Sequence, residues 1–196
     1  MQSSSGGAPL LGEPVAIEFA NTTFAVRGRP AEGLETPEML TQWLRDNGFE
    51  VREVTRRDAD AARTLRAAIR DIAAAITGGH EWDADAVATV NAYAASPPRW
   101  HELAFDPEPH VVQRSSGNPV ETALGVIADN AVEIFGGPLR DRLRACPGPG
   151  CVLYFLTDGR REWCSKPCGN RARAARHYAR TAGTARTSRT QHPRPS

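Results

Sequence analysis

Four cysteines, Cys146, Cys151, Cys164 and Cys168, fall in a 23-residue window near the end of a 196-residue chain that has no other cysteine. Their spacing, Cys-x4-Cys-x12-Cys-x3-Cys, makes two close pairs with enough chain between them for a hairpin. No signal peptide or long apolar run directs the chain out of the cytoplasm, and in a reducing compartment such a cluster holds metal rather than disulfides. Zinc is the expected ion, because four thiolates at about 2.3 Å fill a tetrahedron and leave no position for water or substrate. A closed site of this kind is structural, not catalytic.

The residues around the cysteines fit a small treble-clef-like finger. Pro147-Gly148-Pro149-Gly150 can make the tight knuckle between the first pair. Val152 to Phe155 reads as a strand, Thr157-Asp158-Gly159 as a turn and Arg161 to Trp163 as the returning strand. Ser165 is placed to cap a helix whose first turn carries Cys168, where the helix dipole favours a thiolate. A module of this size has too little core to fold unaided, so metal binding supplies its folding energy.

The preceding residues read as a helical body. Thr36-Pro37 opens one helix that ends near Gly48, with Leu40, Trp43 and Leu44 on its apolar stripe. Leu65, Ile69, Ile72 and Ile76 mark an amphipathic helix over 58–77, stopped by Gly78-Gly79. Val87, Val90 and Ala94 share a face of a third, over 83–95, before Pro97-Pro98. Asn118-Pro119-Val120-Glu121 is a capping box for a fourth, with Leu124, Ile127, Ala131 and Ile134 inward and Gly136-Gly137-Pro138 at its end. Between the last two, the period changes around Asp106-Pro107-Glu108-Pro109, predicting a short β-hairpin; Trp43 and Trp100 are expected in the core. Val15, Ile17 and Phe19 alternate like a strand, although Ala16 and Ala20 also suit a helix. The fold class is therefore α+β, mainly α.

Charge is unevenly divided. Residues 1–138 hold 11 arginines against 20 acids, net −9; residues 139–196 hold 13 basic against 3 acidic residues, net +10. An acidic body with a basic end fits a chain that meets nucleic acid at that end. On the final helix Arg173, Arg176 and Arg180 form a cation strip, with Lys166, Asn170 and Arg171 nearby, while Ala172, Ala175, Tyr178 and Ala179 are expected to face inward. Asn170 and Arg171 are residue types able to read base edges, but they suit equally well support of a thiolate or a phosphate. Gly169 is expected to allow close packing beside the metal. Glu18 and Asn21 could line a ligand pocket, though Asn21 is expected to cap a turn. The histidines are scattered, and no nucleophile–base pair, phosphate loop or paired carboxylates point to an enzyme.

Trp163-Cys164-Ser165 followed by Cys168-Gly169-Asn170-Arg171 resembles the CGNR zinc-finger proteins, named for that tetrapeptide. Ala16-Ile17-Glu18-Phe19-Ala20-Asn21-Thr22 is similar to the opening of the family's N-terminal ABATE domain, and Arg142-Leu143-Arg144 before Cys146 to its approach to the finger. Two departures stand out: the hairpin is short before Trp163, and the last two cysteines are one residue closer than in the family pattern. The resemblance implies a stress-induced transcription regulator that holds Zn(2+) and binds DNA. The expected organisation is a flexible tail over 1–12, a mainly helical ABATE-like domain over 13–138, a CGNR-type finger over 139–180 and a disordered basic tail over 181–196. A homodimer through the N-terminal domain is a further expectation. The rival readings are a protein-interaction module whose zinc is only a staple, and a small-molecule-binding body with an accessory finger.

Overall fold

A computed structural model of the protein describes residues 2–3 and 7–187, with side chains over 7–180. The chain runs β1 (Gln2–Ser3), β2 (Pro9–Leu10), α1 (Val15–Ala20), β3 (Thr23–Val26), β4 (Arg29–Glu32), α2 (Pro37–Asp46), α3 (Arg56–Gly78) and α4 (Ala84–Ala95). It continues through β5 (Arg99–Phe105), β6 (Pro109–Ser115), α5 (Pro119–Gly136), a 3-10 turn (Pro138–Arg142), β7 (Leu143–Ala145), β8 (Tyr154–Leu156) and α6 (Lys166–Thr187). Among the described residues the strands form four separate antiparallel pairs in sequence order.

Local capping sets the helix starts. The Thr36 hydroxyl accepts the Met39 N–H at 3.3 Å, and Pro37 occupies the first helical position. Asn118 and Glu121 form the expected capping box on α5. A second box, Thr55 with Asp58, starts α3 two residues before the expected Asp58. Gly79, in the left-handed region at φ 69°, ends α3.

The central helix is α3, which packs against α1, α2, α4, α5 and β7. Its Leu65, Ile69 and Ile72 are buried with Ile127, Ala131 and Ile134 of α5. Phe19 and Trp43 meet with ring centroids 5.1 Å apart. Side chains of this size stabilise a fold by about 1.5–3 kcal/mol each when fully buried, so this cluster is the main source of cohesion. Arg66 of α3, itself buried, pairs with Glu32 through both carboxylate oxygens and donates to Thr22 Oγ1 at 3.1 Å, tying the β3–β4 hairpin to the body. Burial works to raise the Glu32 carboxyl, but Arg66 and the Leu34 N–H outweigh it and hold it below the usual carboxylate range.

Several expectations are corrected. Val15–Ala20 is a helix, resolving the strand-or-helix choice. Residues 7–12 are not a loose tail: Ala8 is fully buried, and the Leu11 and Glu13 N–H groups donate to Glu18 Oε1 at 2.7 and 2.8 Å. Trp100 is 50% exposed rather than core, because among the described residues no layer covers either face of the β5–β6 hairpin. Helix α6 runs through 181–187, where a disordered tail was expected; the rest of that tail, 188–196, lies outside the described residues.

Candidate metal centre and basic surface

The finger's hairpin differs from the expected one. Strand β8 pairs not with 161–163 but with β7, so that Leu143 opposes Leu156 and Ala145 opposes Tyr154. The pairing continues into the knuckle, where the Cys146 N–H donates to the Leu153 carbonyl at 2.9 Å. The other edge of β8 is occupied by side chains from the N-terminal residues. Asn21 Nδ2 donates to the Tyr154 carbonyl at 2.9 Å, and Asn21 Oδ1 accepts the Tyr154 N–H at 2.8 Å. Glu13 accepts the Leu156 N–H at 3.0 Å and pairs with Arg161. Both β8 edges being filled, 161–163 cannot return as a strand.

Asn21 is therefore not a pocket residue: its backbone N–H closes α1 on the Ile17 carbonyl at 3.0 Å, while its side chain leaves that turn for Tyr154. Its amide acts as a surrogate strand, satisfying two buried backbone groups that would otherwise be orphaned. Glu18 anchors the same segment; its Oε2 is buried without a hydrogen-bond partner among the described residues, and burial pushes its carboxyl above the ordinary range. Arg70 of α3 donates to the Ala20 carbonyl at 2.8 Å and the Val152 carbonyl at 3.2 Å, and lies 5.2 Å over the Tyr154 ring. Leu143, Leu153, Tyr154 and Phe155 join the same buried cluster as the helices, so finger and body share one core. Sequence reasoning missed the Glu13, Asn21 and Arg70 contacts; the only signal was the density of polar residues in an apolar opening segment.

The knuckle and the start of α6 bring Cys146, Cys151, Cys164 and Cys168 together, with all four sulfurs within 4.8 Å of one another. The sulfur–sulfur separations are 3.7 Å for Cys151–Cys164 and Cys151–Cys168 and 3.3 Å for Cys164–Cys168. Zinc–sulfur bonds of about 2.3 Å in a tetrahedron require edges of about 3.8 Å, close to this arrangement. Gly148 makes the approach possible, since a Cβ there would lie 3.2 Å from Cys168 Cβ and 3.4 Å from Cys146 Sγ. Packed this closely, the thiols shift one another's ionisation. Hydrogen bonds from Cys151 and Cys164 hold Cys146 down to about 2, while sharing with that thiolate pushes Cys151 up to about 11 and Cys164 up as well. A soft divalent cation removes this conflict by allowing all four to ionise, which is the chemistry zinc supplies. The Cys164 N–H lies 3.4 Å from Cys146 Sγ and Arg171 Nη2 lies 3.0 Å from Cys168 Sγ, both donating to the sulfurs.

Of the expected surface residues, Lys166, Asn170, Arg171, Arg173, Arg176 and Arg180 are all exposed on α6. Arg173 donates to Asn170 Oδ1 at 2.6 Å, and the guanidinium carbons of Arg173 and Arg176 lie 5.8 and 5.9 Å from the Trp163 ring centroid. A Cβ on Gly169 would sit 3.2 Å from Trp163, so this glycine admits the indole against the helix as expected. Ala175, Tyr178 and Ala179 do not face inward: beyond the first turns α6 leaves the core, and Tyr178 is 71% exposed.

Fold and site together define a mainly helical protein carrying a structural four-cysteine zinc finger. Two family models match in order: ABATE, described as "Putative stress-induced transcription regulator", over residues 13–138, and the CGNR zinc finger over 142–181. The chain belongs to the ABATE family. Both models describe regulator and zinc-finger types rather than enzymes. No curated protein matches the chain, and no helix among the described residues is long and apolar enough to cross a membrane.

Proposed function

We propose that the protein is a cytoplasmic DNA-binding transcription regulator in which zinc, held by Cys146, Cys151, Cys164 and Cys168, fixes the root of α6 and α6 meets duplex DNA. One observation carries this reading. Residues 166–187 hold one lysine, five arginines and no acid, and from Arg173 to Arg180 the helix is exposed on every side. A helix that merely covered a core would bury a face, and one that merely faced water would mix its charges. At 22 residues it is about 33 Å long, enough to lie in a major groove. Arg173, Arg176, Arg180 and Lys166 supply phosphate contacts, and Asn170 sits beside them. Arg171, engaged with Cys168 Sγ, supports the metal and reaches a phosphate rather than a base edge.

A single helix gives modest affinity, so useful specificity calls for pairing. The β5–β6 hairpin supports a homodimer through the N-terminal domain. Leu103, Phe105 and Val111 are 77, 76 and 68% exposed on one of its faces, beside His101, Pro109 and Gln113, with no Asp, Glu, Lys or Arg among these six. Such a face meets its own copy without like-charge repulsion.

Selection of bound sequences from random duplex DNA by full-length, zinc-loaded protein, followed by competition with bulk DNA, tests the reading. Enrichment of a common sequence is the expected result. If bulk DNA is not retained even at low salt, the basic helix docks on an acidic protein instead.

A further inference from the structure

The tip of the β3–β4 hairpin brings two more cations to the finger. We propose that Arg27 and Arg29 form a second phosphate-binding element, gripping the DNA backbone on the side of α6 opposite the Arg173, Arg176 and Arg180 strip. The inference rests on the DNA-binding reading above and adds to it a contact made by the N-terminal domain.

Placement is the first support. The hairpin tip lies against the zinc knuckle, with Gly28 Cα 3.3 Å from where a Cβ on Gly150 would stand. Arg27 also lines a cleft of about 240 Å³ with Arg171, Ser165, Pro167 and Cys168. With 3.6 residues per turn, Arg171 lies on the opposite flank of α6 from the strip. A helix in a major groove has a different strand's phosphates on each flank, so Arg171 with Arg27 and Arg29 faces one strand while the strip faces the other.

Charge and backbone agree. Arg27 and Arg29 are exposed, and among the described residues neither makes an ion pair. The hairpin's single acid, Glu32, is already taken by Arg66. Arg27 also occupies a position that favours another residue. Val26 pairs with Arg29, leaving Arg27-Gly28 as a two-residue turn with φ 52° and 78°. Such turns prefer Asn, Asp or Gly at the first position, and Arg27 is the one non-glycine residue with positive φ among the described residues. A cation kept in a disfavoured conformation at an exposed tip is accounted for by a ligand. Arg66 fixes the base of the hairpin to α3 through Glu32, and the tip itself rests against the knuckle at Gly150.

The double variant Arg27→Asn/Arg29→Gln removes both charges and suits the turn, so its melting temperature should equal or exceed wild type. Binding of full-length, zinc-loaded protein to a fluorescent mixed-sequence duplex is measured across a sodium chloride series. Two lost phosphate contacts should weaken binding about tenfold to a hundredfold at 0.1 M salt and flatten the log–log slope by about two. The loss should add to that of Arg173→Ala/Arg176→Ala/Arg180→Ala. If the hairpin variant binds with wild-type affinity and slope while the strip variant fails, the hairpin contact is wrong and the regulator reading stands. If wild-type protein does not bind duplex at low salt, the regulator reading fails and this inference with it.

Discussion

Replacing Asn21 by Ala should cost more stability than a change at any exposed residue of the body. The Asn21 amide is fully buried and makes two hydrogen bonds to the Tyr154 backbone, 133 residues away in the chain. Truncation leaves the Tyr154 N–H and carbonyl without partners at a residue 8% exposed. A buried orphaned polar group costs about 1–3 kcal/mol, so two orphaned groups cost about 2–6 kcal/mol. Water entering the space left by the amide would pull the value toward the lower end. Against a total of about 5–15 kcal/mol this is a large share. Urea unfolding of zinc-loaded wild type and Asn21→Ala, followed by tryptophan fluorescence, gives the difference directly. Asn21→Asp should also destabilise, because it keeps the acceptor for the Tyr154 N–H but turns a carboxylate oxygen toward the carbonyl. A loss below about 0.5 kcal/mol for Asn21→Ala, the range of ordinary surface substitutions, would refute the claim that this amide joins finger to body.

Three further outcomes follow from the same structure. Metal analysis of protein purified reduced and without chelator should give one zinc per chain, and Cys168→Ser should lose it; because Leu143, Tyr154 and Phe155 belong to the common core, that variant should also melt at a lower temperature rather than leave the body untouched. Burial raises the Glu18 carboxyl, so folding favours its protonated form: that contribution is present below the ordinary carboxylate pKa and is lost as pH rises toward the raised folded value. Glu18→Gln should therefore gain stability relative to wild type between pH 4 and pH 7, about 1.4 kcal/mol for each unit of upward shift, and a pH-independent difference in parallel melting series would contradict this. Leu103→Glu/Phe105→Glu should give a folded monomer in sedimentation at concentrations where wild type pairs, with an unchanged far-ultraviolet circular dichroism spectrum, since neither side chain is packed among the described residues; a variant that still pairs would place the interface elsewhere.

What the sequence revealed was what local chemistry determines. Thr36-Pro37 and Asn118-Pro119-Val120-Glu121 cap helices with their own side chains, so their positions needed no tertiary information. The cysteine spacing likewise announced the metal centre. Contacts between distant residues were hidden. Thr157-Asp158-Gly159 has turn chemistry, and Asp158 does accept the Arg160 and Arg161 N–H groups at 2.9 and 3.0 Å. That turn leads to no strand, because β7 and Asn21 already hold the two edges of β8. Trp100 failed for a different reason: alternation marks a strand, but burial needs a layer to cover it. On α6 the alanines and Tyr178 have an inward-facing pattern, yet the helix outruns the core that would receive them.

Whether α6 is a nucleic-acid surface built on a zinc centre is read from the salt dependence of duplex binding. Full-length, zinc-loaded wild type and Arg173→Ala/Arg176→Ala/Arg180→Ala are titrated against the same duplex between 50 and 200 mM salt. Wild type should bind with steep salt dependence, and the variant with a log–log slope shallower by about three and its zinc retained. Equal affinity and equal slope in the two proteins, each holding its zinc, would show that the strip is only a solvated face.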